Sequence, residues 1–238
     1  MNSQPLNFVP ASEFKQRAAV AVADEHLRRS FRGAMDFLIA KRAAQFPDPA
    51  ALERQRGLAE HIRKYSLARL PDLLELLERK LTENGVHVHW AENAEQANRV
   101  IIDIARRHST KLMVKGKSMV SEEIELNHAM ADAGMEALES DMGEYIVQLD
   151  GEKPSHIIMP AIHKTKQQIA RLFAEKVPGA AYTDSVDELI GIGRAVLREK
   201  FMTAEIGLTG VNFAVAETGT LCLVENEGNG RMCTTVPD

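Results

Sequence analysis

"KLMVKGKSMVSEEIELNHAMADAGMEALES", residues 111–140, decides the fold. It opens on a short apolar run, Lys111–Gly116, that reads as a strand. "SMVSEEIELNHAMADAG" then carries apolar residues at helical spacing, and "MEALES" returns to a strand pattern. Strand, helix and strand in one short stretch make a βαβ unit, which requires the two strands to run parallel.

Working outward, the same rhythm continues on both sides. "VHVHWA" reads as a β-prone run and "NAEQANRVIIDIARRH" as a helix. Downstream, "SHIIMPAI" reads as a strand, and "KTKQQIARLFAEK" and "SVDELIGIGRAVLREKFM" read as helices. "GLTGVNFAVAETGTLCLVENEGNGRM" is expected to form two strands buried on both faces and joined at Thr218-Gly219. The first part differs. "SEFKQRAAVAVADEHLRRSFRGAMDFLIAKRAAQF" is helical, opened by Ser12 or Glu13 and broken by Pro47 and Pro49. A second helical stretch ends at Asn84-Gly85, with Pro71 kinking it or opening a new helix. The expected fold class is therefore α/β, a mainly parallel sheet flanked by helices. Residues 1–84 form an N-terminal helical extension and residues 85–238 the α/β part.

Composition narrows the function classes. A chain of 238 residues with a net charge of −5 gives no ground for nucleic-acid binding, and no apolar run is long enough for membrane insertion. Two cysteines, Cys222 and Cys233, are too few for a disulfide framework, so a reducing, cytoplasmic setting is expected. Charge is uneven: residues 1–80 hold 14 Lys and Arg against 10 Asp and Glu, and the remainder 15 against 24. The chain stops soon after a glycine-rich turn, which leads us to expect a longer parent protein.

The Gly-Lys-Ser triplet at 116–118 invites a P-loop reading, which fails. A Walker A loop needs glycine five residues before Gly116, and position 111 is lysine. A more general reading survives. Lys115, Gly116, Lys117 and Ser118 stand at a strand end, where Gly116 permits a turn and Ser118 caps the next helix. Two lysines beside open helix N–H groups suit an anionic small molecule. The competing reading is a capped helix whose lysines face water. Glu122, Glu123 and Glu125 are read as favourable partners of that helix's dipole, and Glu125 and Asn127 are within reach of a pocket although their spacing does not require one.

Further candidates cluster in "ESDMGEYIVQLDGEKPSHIIMPAIHK". Glu139, Asp141, Glu144, His156, His163 and Lys164 stand near expected strand ends and include types that serve as general acid or base, and Glu139, Asp141, His156 and His163 are taken as the candidates. Glu217 is a fifth candidate, because an acid flanking two apolar strands needs a partner or an exposed edge. Asn212, Thr218, Gly219, Thr220, Glu225 and Asn226 are candidate ligand contacts in the loops that follow. His87 and His89 share a strand face, but zinc would need further ligands from His108, His128, His156 or His163. A polar sheet face is the simpler reading, and no metal site is assigned to this chain. Iron–sulfur clusters need runs such as C-x2-C-x2-C-x3-C, which Cys222 and Cys233 do not form.

"HIRKYSLARLPDLLELLERKLTENGVHVHWAENAEQANRVIIDIA", "VKGKSMVSEEIELNHA", "DMGEYIVQLDGEKPSHIIMPAIHK" and "LTGVNFAVAETGTLCLVENEGNGR" together resemble the lactate utilisation protein B family, over residues 55 to 235. The resemblance implies a LUD domain, similar in fold to the sugar-phosphate isomerase, CoA transferase and formyltetrahydrofolate cyclo-ligase group. It implies a part in oxidising L-lactate to pyruvate with companion lactate-utilisation proteins. It also implies two 4Fe–4S clusters on a ferredoxin-like region beyond Asp238, and none bound by this chain. Two rivals stay open: a stand-alone transferase or isomerase using Glu217 or Glu225, and a subunit-docking module presenting Arg28, Arg29 and Arg32.

Overall fold

The computed structural model describes residues 13–237. Ser12, one of the two expected helix starts, lies outside them. Four helices come first: α1 (Phe14–Ala23), α2 (Glu25–Gln45), α3 (Pro49–Ala68) and α4 (Leu70–Glu83). Their boundaries follow local chemistry. Asp24 accepts from Leu27 N to cap α2, and Asp48 accepts from Ala50 N and Ala51 N to cap α3, with Pro49 in its first turn. Pro71 opens α4 after a break at Arg69, and α4 ends at Asn84-Gly85. None of α1, α2 or α3 buries a residue, whereas α4 buries Leu81.

The body is built on a three-stranded parallel sheet in the order β2-β1-β3. After α5 (Ala94–Arg107) comes β1 (Leu112–Gly116). Next, α6 (Met119–Glu123) and α7 (Leu126–Asp132) lead to β2 (Glu136–Glu139). Lys115 stands opposite Glu139 in the β1–β2 register. The return to β3 (Ile206–Thr209) runs through α8 (Met142–Asp150), α9 (Lys166–Lys176) and α10 (Val186–Thr203). Alternation along the strands feeds two cores. Leu112, Val114 and Leu138 pack with Tyr145, Phe173 and Phe201 from α8, α9 and α10. Met113 and Ala137 pack on the other face with Ala105, Leu126 and Met130 from α5 and α7. The βαβ unit, and with it the α/β class, is as the sequence indicates.

Several details differ from the sequence reading. The helix expected over 118–134 is two helices, because Glu125 takes a left-handed backbone (φ 55°). "VHVHWA" is irregular and exposed, with Trp90 60% accessible. Its β propensity finds no strand to pair with among the described residues, and propensity without a neighbour does not make a strand. "SHIIMPAI" is a series of turns with Ile157 and Ile158 exposed. There His156 Nδ1 accepts from Ile158 N and Met159 N, taking donors a strand would have used. Helix α8, capped by Asp141, was not foreseen.

The C-terminal run holds three strands instead of two. After β3, the strands β4 (Phe213–Val215) and β5 (Thr220–Cys222) form a separate antiparallel hairpin, and neither is buried. Its turn does fall at Thr218-Gly219. Gly219 adopts a positive φ of 69°, and a Cβ there would lie 2.9 Å from the Lys80 backbone, so the hairpin tip seats on the end of α4. Asn84 Nδ2 donates to Thr218 O at 2.9 Å across this contact. The chain closes with α11 (Asn229–Cys233), which packs on β1 and β3.

Candidate functional site

The carboxyl ends of β1 and β2 bring charged side chains into the interior. Lys115 is 1% exposed and Glu139 6% exposed, and their side chains form an ion pair. Two residues further along each chain, Lys117 pairs with Asp141, again mostly out of water. The parallel register makes this repetition. Asn127 of α7 donates its Nδ2 to Glu139 Oε1 at 3.0 Å, and Gln148 of α8 fixes the Glu139 N–H through its Oε1 at 2.9 Å. Asp141 also caps α8, accepting from Gly143 N at 2.9 Å.

Between these pairs lies Ser140, 2% exposed. Its Oγ is 3.5 Å from Cys233 Sγ and accepts from Asn229 Nδ2 at 3.5 Å. This explains the glycine at 116. A Cβ there would sit 2.7 Å from Ser140 Oγ and 3.4 Å from Asn229 Nδ2. Gly116 is therefore required for close approach, while the turn is made by Lys117, whose φ is 58°. The expectation that Gly116 makes the turn is corrected on that point. Ser118 does cap the next helix, accepting from Ser121 N at 3.2 Å.

Three further carboxyls converge here. Glu144 of α8 is pushed up to about 8 by burial and by the neighbouring Glu139, Asp141 and Glu122. Burial, reinforced by Glu139, raises Glu122, and burial beside Asp141 raises Glu227. Burial likewise pushes the Cys233 thiol up. Buried Glu144 Oε2, Asn127 Oδ1 and Asn229 Oδ1 have no hydrogen-bond partner among the described residues. The centre is thus an acid-rich, largely buried cluster whose two lysines are neutralised from within and whose Glu144 is pushed up to about 8. Such a group can give or take a proton near neutrality.

The other sequence candidates fall elsewhere. His163 is held between Glu152 Oε2 at 2.7 Å and Ser155 Oγ at 2.5 Å, inside the turn segment after α8. His156 binds its own backbone and meets Phe31 edge-on, with ring centroids 6.4 Å apart. Neither histidine contacts the strand-end cluster, because the expected strand that would have carried them there is absent. Glu217, Thr218, Gly219 and Thr220 form the hairpin turn, where Glu217 is exposed and needs no partner. Asn212 braces the hairpin base, accepting from Val224 N at 2.8 Å. Glu225 accepts from Arg231 N at 2.8 Å, and Asn226 is exposed beside it. Both lysines of the expected anion loop are engaged by carboxylates, and α6 has only five residues to lend a dipole. Sequence reading named Glu144 within the acidic stretch and Asn127 as able to reach a pocket without singling out either, and it missed Asn229, Glu227 and the packing of Cys233.

The architecture defines an α/β protein with its polar centre at the carboxyl ends of parallel strands. Residues 74–238 match the LUD domain, and the chain belongs to that family. It is 43% identical over 226 residues to "Uncharacterized electron transport protein YkgF" of Escherichia coli strain K12, covering 95% of this chain and 47% of that protein. It is 43% identical over 230 residues to "Lactate utilization protein B" of Bacillus licheniformis, covering 96% of this chain and 48% of the relative. Bacillus pumilus has a protein of the same name that is 42% identical over 230 residues, with 96% and 48% covered. The chain spans about half the length of these curated relatives. No solved structure matches it.

Proposed function

We propose that this chain is the LUD-domain portion of an iron–sulfur protein that takes part in oxidising L-lactate to pyruvate alongside companion lactate-utilisation proteins. The observation that carries this reading is the 43% identity, sustained over nearly the whole chain, to a protein named for lactate utilization. The electron-transport name of a second relative supports the redox side. Lactate oxidation breaks one C–H and one O–H bond and releases two electrons and two protons. The electrons require an acceptor, for which 4Fe–4S clusters are the proposed class. This chain's own residues do not fit such a cluster. Two cysteines cannot supply four thiolates, and Cys233 is turned onto Ser140. The clusters are therefore assigned to the part of the parent protein that these residues do not include. The strand-end centre suits the proton side, with Glu144 as the exchanging carboxyl and the Lys115–Glu139 pair as its fixed electrostatic setting.

Deleting the gene from its host and restoring it in full length tests the assignment. The deleted strain should fail on L-lactate and grow normally on pyruvate, and the restored protein should contain iron and acid-labile sulfide. Unimpaired growth of the deleted strain on L-lactate would sink the reading. Restoration with Glu144→Gln should lower growth on L-lactate without lowering protein level. Full growth with that variant would remove Glu144 from the chemistry and leave the broader assignment standing.

A further inference from the structure

The turn segment between α8 and α9 brings together three side chains that the strand-end centre does not use. Glu152, Ser155 and His163 lie in "GEKPSHIIMPAIHK", residues 151–164. His163 Nε2 is 2.7 Å from Glu152 Oε2, and its Nδ1 is 2.5 Å from Ser155 Oγ. A carboxylate only accepts, so the proton of the neutral ring sits on Nε2 and Nδ1 is left as an acceptor. The Ser155 hydroxyl therefore donates to Nδ1. Hydroxyl, imidazole and carboxylate in this order are a nucleophile, its base and the group that orients the base. The carboxylate end is held ionised. Burial works against the charge of Glu152, but hydrogen bonds from His163 and Lys164 outweigh it and lower its pKa.

The segment is anchored so that these groups keep their places. Lys164, its side chain nearly buried, bridges Asp150 at the end of α8 and Glu152, the latter at 2.9 Å. Pro160 is buried, and a Cβ on Gly143 of α8 would lie 3.1 Å from its Cδ. The carbonyl of that proline accepts from Ser155 N at 3.1 Å, which ties the serine backbone to the anchor. Ser155 itself is exposed, so its hydroxyl is open to a substrate. The N–H groups of His156 and Ile157 give no backbone hydrogen bond among the described residues. An N–H from the residue after a nucleophilic serine is a recurrent donor to the oxyanion of acyl-transfer intermediates. Ile157 and Ile158, both exposed, add apolar surface next along the chain.

We propose that Ser155 is a nucleophile for acyl transfer from carboxylic esters or thioesters, with His163 as its base and Glu152 as the positioning residue of that base. This activity is separate from the strand-end chemistry. Ser155 Oγ bonds to the acyl carbon as its proton passes to His163 Nδ1. The bond from that carbon to the alcohol or thiol breaks, and the leaving group takes the proton. Water then adds to the acyl-serine, gives a proton through the same ring and releases the carboxylic acid and free serine. The whole chain should hydrolyse p-nitrophenyl butyrate and take up a fluorophosphonate, with the adduct mapped to Ser155 by mass spectrometry. Ser155→Ala should lower hydrolysis to the buffer rate, and His163→Asn should lower kcat about a hundredfold or more. Glu152→Gln separates positioning from bracing. Its amide still hydrogen-bonds the ring, but by donating to Nε2 it moves the ring proton onto Nδ1. In that variant kcat should fall while KM and the urea midpoint stay unchanged. A wild type that neither reacts with the probe nor hydrolyses the ester above buffer would overturn the proposal. So would an adduct on any other residue, hydrolysis that survives Ser155→Ala, or an unchanged kcat in Glu152→Gln.

Discussion

The α/β body and the N-terminal arm of helices α1 to α3 break the usual partition of residues in opposite senses. In the body, an ammonium and a carboxylate sit in the interior, with Lys115 among the largest fully buried side chains. In the arm, phenylalanine, isoleucine and leucine stand in water. Scattered exposed apolar residues are ordinary, but three at helical spacing on a helix that buries none are not. Buried ions are rarer still and carry a desolvation cost. The contrast teaches that burial follows different rules in the two regions: the strand ends hold charge away from water, while α3 leaves an apolar stripe of Leu58, Ile62 and Tyr65 uncovered among the described residues.

The largest expected effect tests the interior side. Lys115→Met leaves Glu139 buried without its cation, with only Asn127 Nδ2 still donating to its side chain. Losing one partner of such a pair costs about 3–5 kcal/mol, while replacing both by apolar residues is often neutral. Urea unfolding should therefore show a large loss for Lys115→Met and recovery of most of it in Lys115→Met with Glu139→Leu. If the single variant were neutral, the pair would not be holding the strand ends together.

How much of this was legible before folding depends on the range of the interactions. The βαβ unit at 111–140 was readable because both periodicities lie within it. The pairing of Lys115 with Glu139 was not, since it depends on the strand register and spans 24 residues. Ser118 could be read as a cap because its partner is three residues away. The glycine at 116 could be noticed but not explained, because Ser140 and Asn229 crowd it from distant parts of the chain. "VHVHWA" and "SHIIMPAI" have strand composition, yet composition cannot say whether a neighbouring strand exists. The two histidines were misplaced with the second of these, and Glu144 could be named among the acids but not singled out, because its raised proton affinity arises from burial among other acids.

The next effect is one of pH. Glu144 titrates near 4.5 in an unfolded chain and near 8 when folded. A carboxyl whose folded pKa is raised binds its proton more tightly in the native state. Its contribution is therefore most favourable below about pH 4.5. It declines as pH rises from there to about 8 and is flat above. Glu122 and Glu227 are shifted in the same direction and add to this decline. Glu144→Gln should flatten the fall in stability between these limits, measured by urea unfolding across the range. An unchanged slope would mean that Glu144 is ionised and solvated in the native protein.

The smallest effects distinguish the regions most directly, because the same cap chemistry is used in both. Asn93 caps α5 of the body by accepting from Gln96 N at 2.9 Å, and Asp48 caps α3 of the arm by accepting from Ala50 N at 2.9 Å. Removing either cap should cost its helix about 1 kcal/mol. Helix α5 is locked to the sheet through Ala105, so Asn93→Ala should shift the global unfolding midpoint. Within a single copy, α3 is not tied to the core, so Asp48→Ala should appear as faster hydrogen exchange along α3 with the body's midpoint unmoved. A midpoint shift for Asp48→Ala would show the arm and body to be one cooperative unit, and the comparison between them would fail.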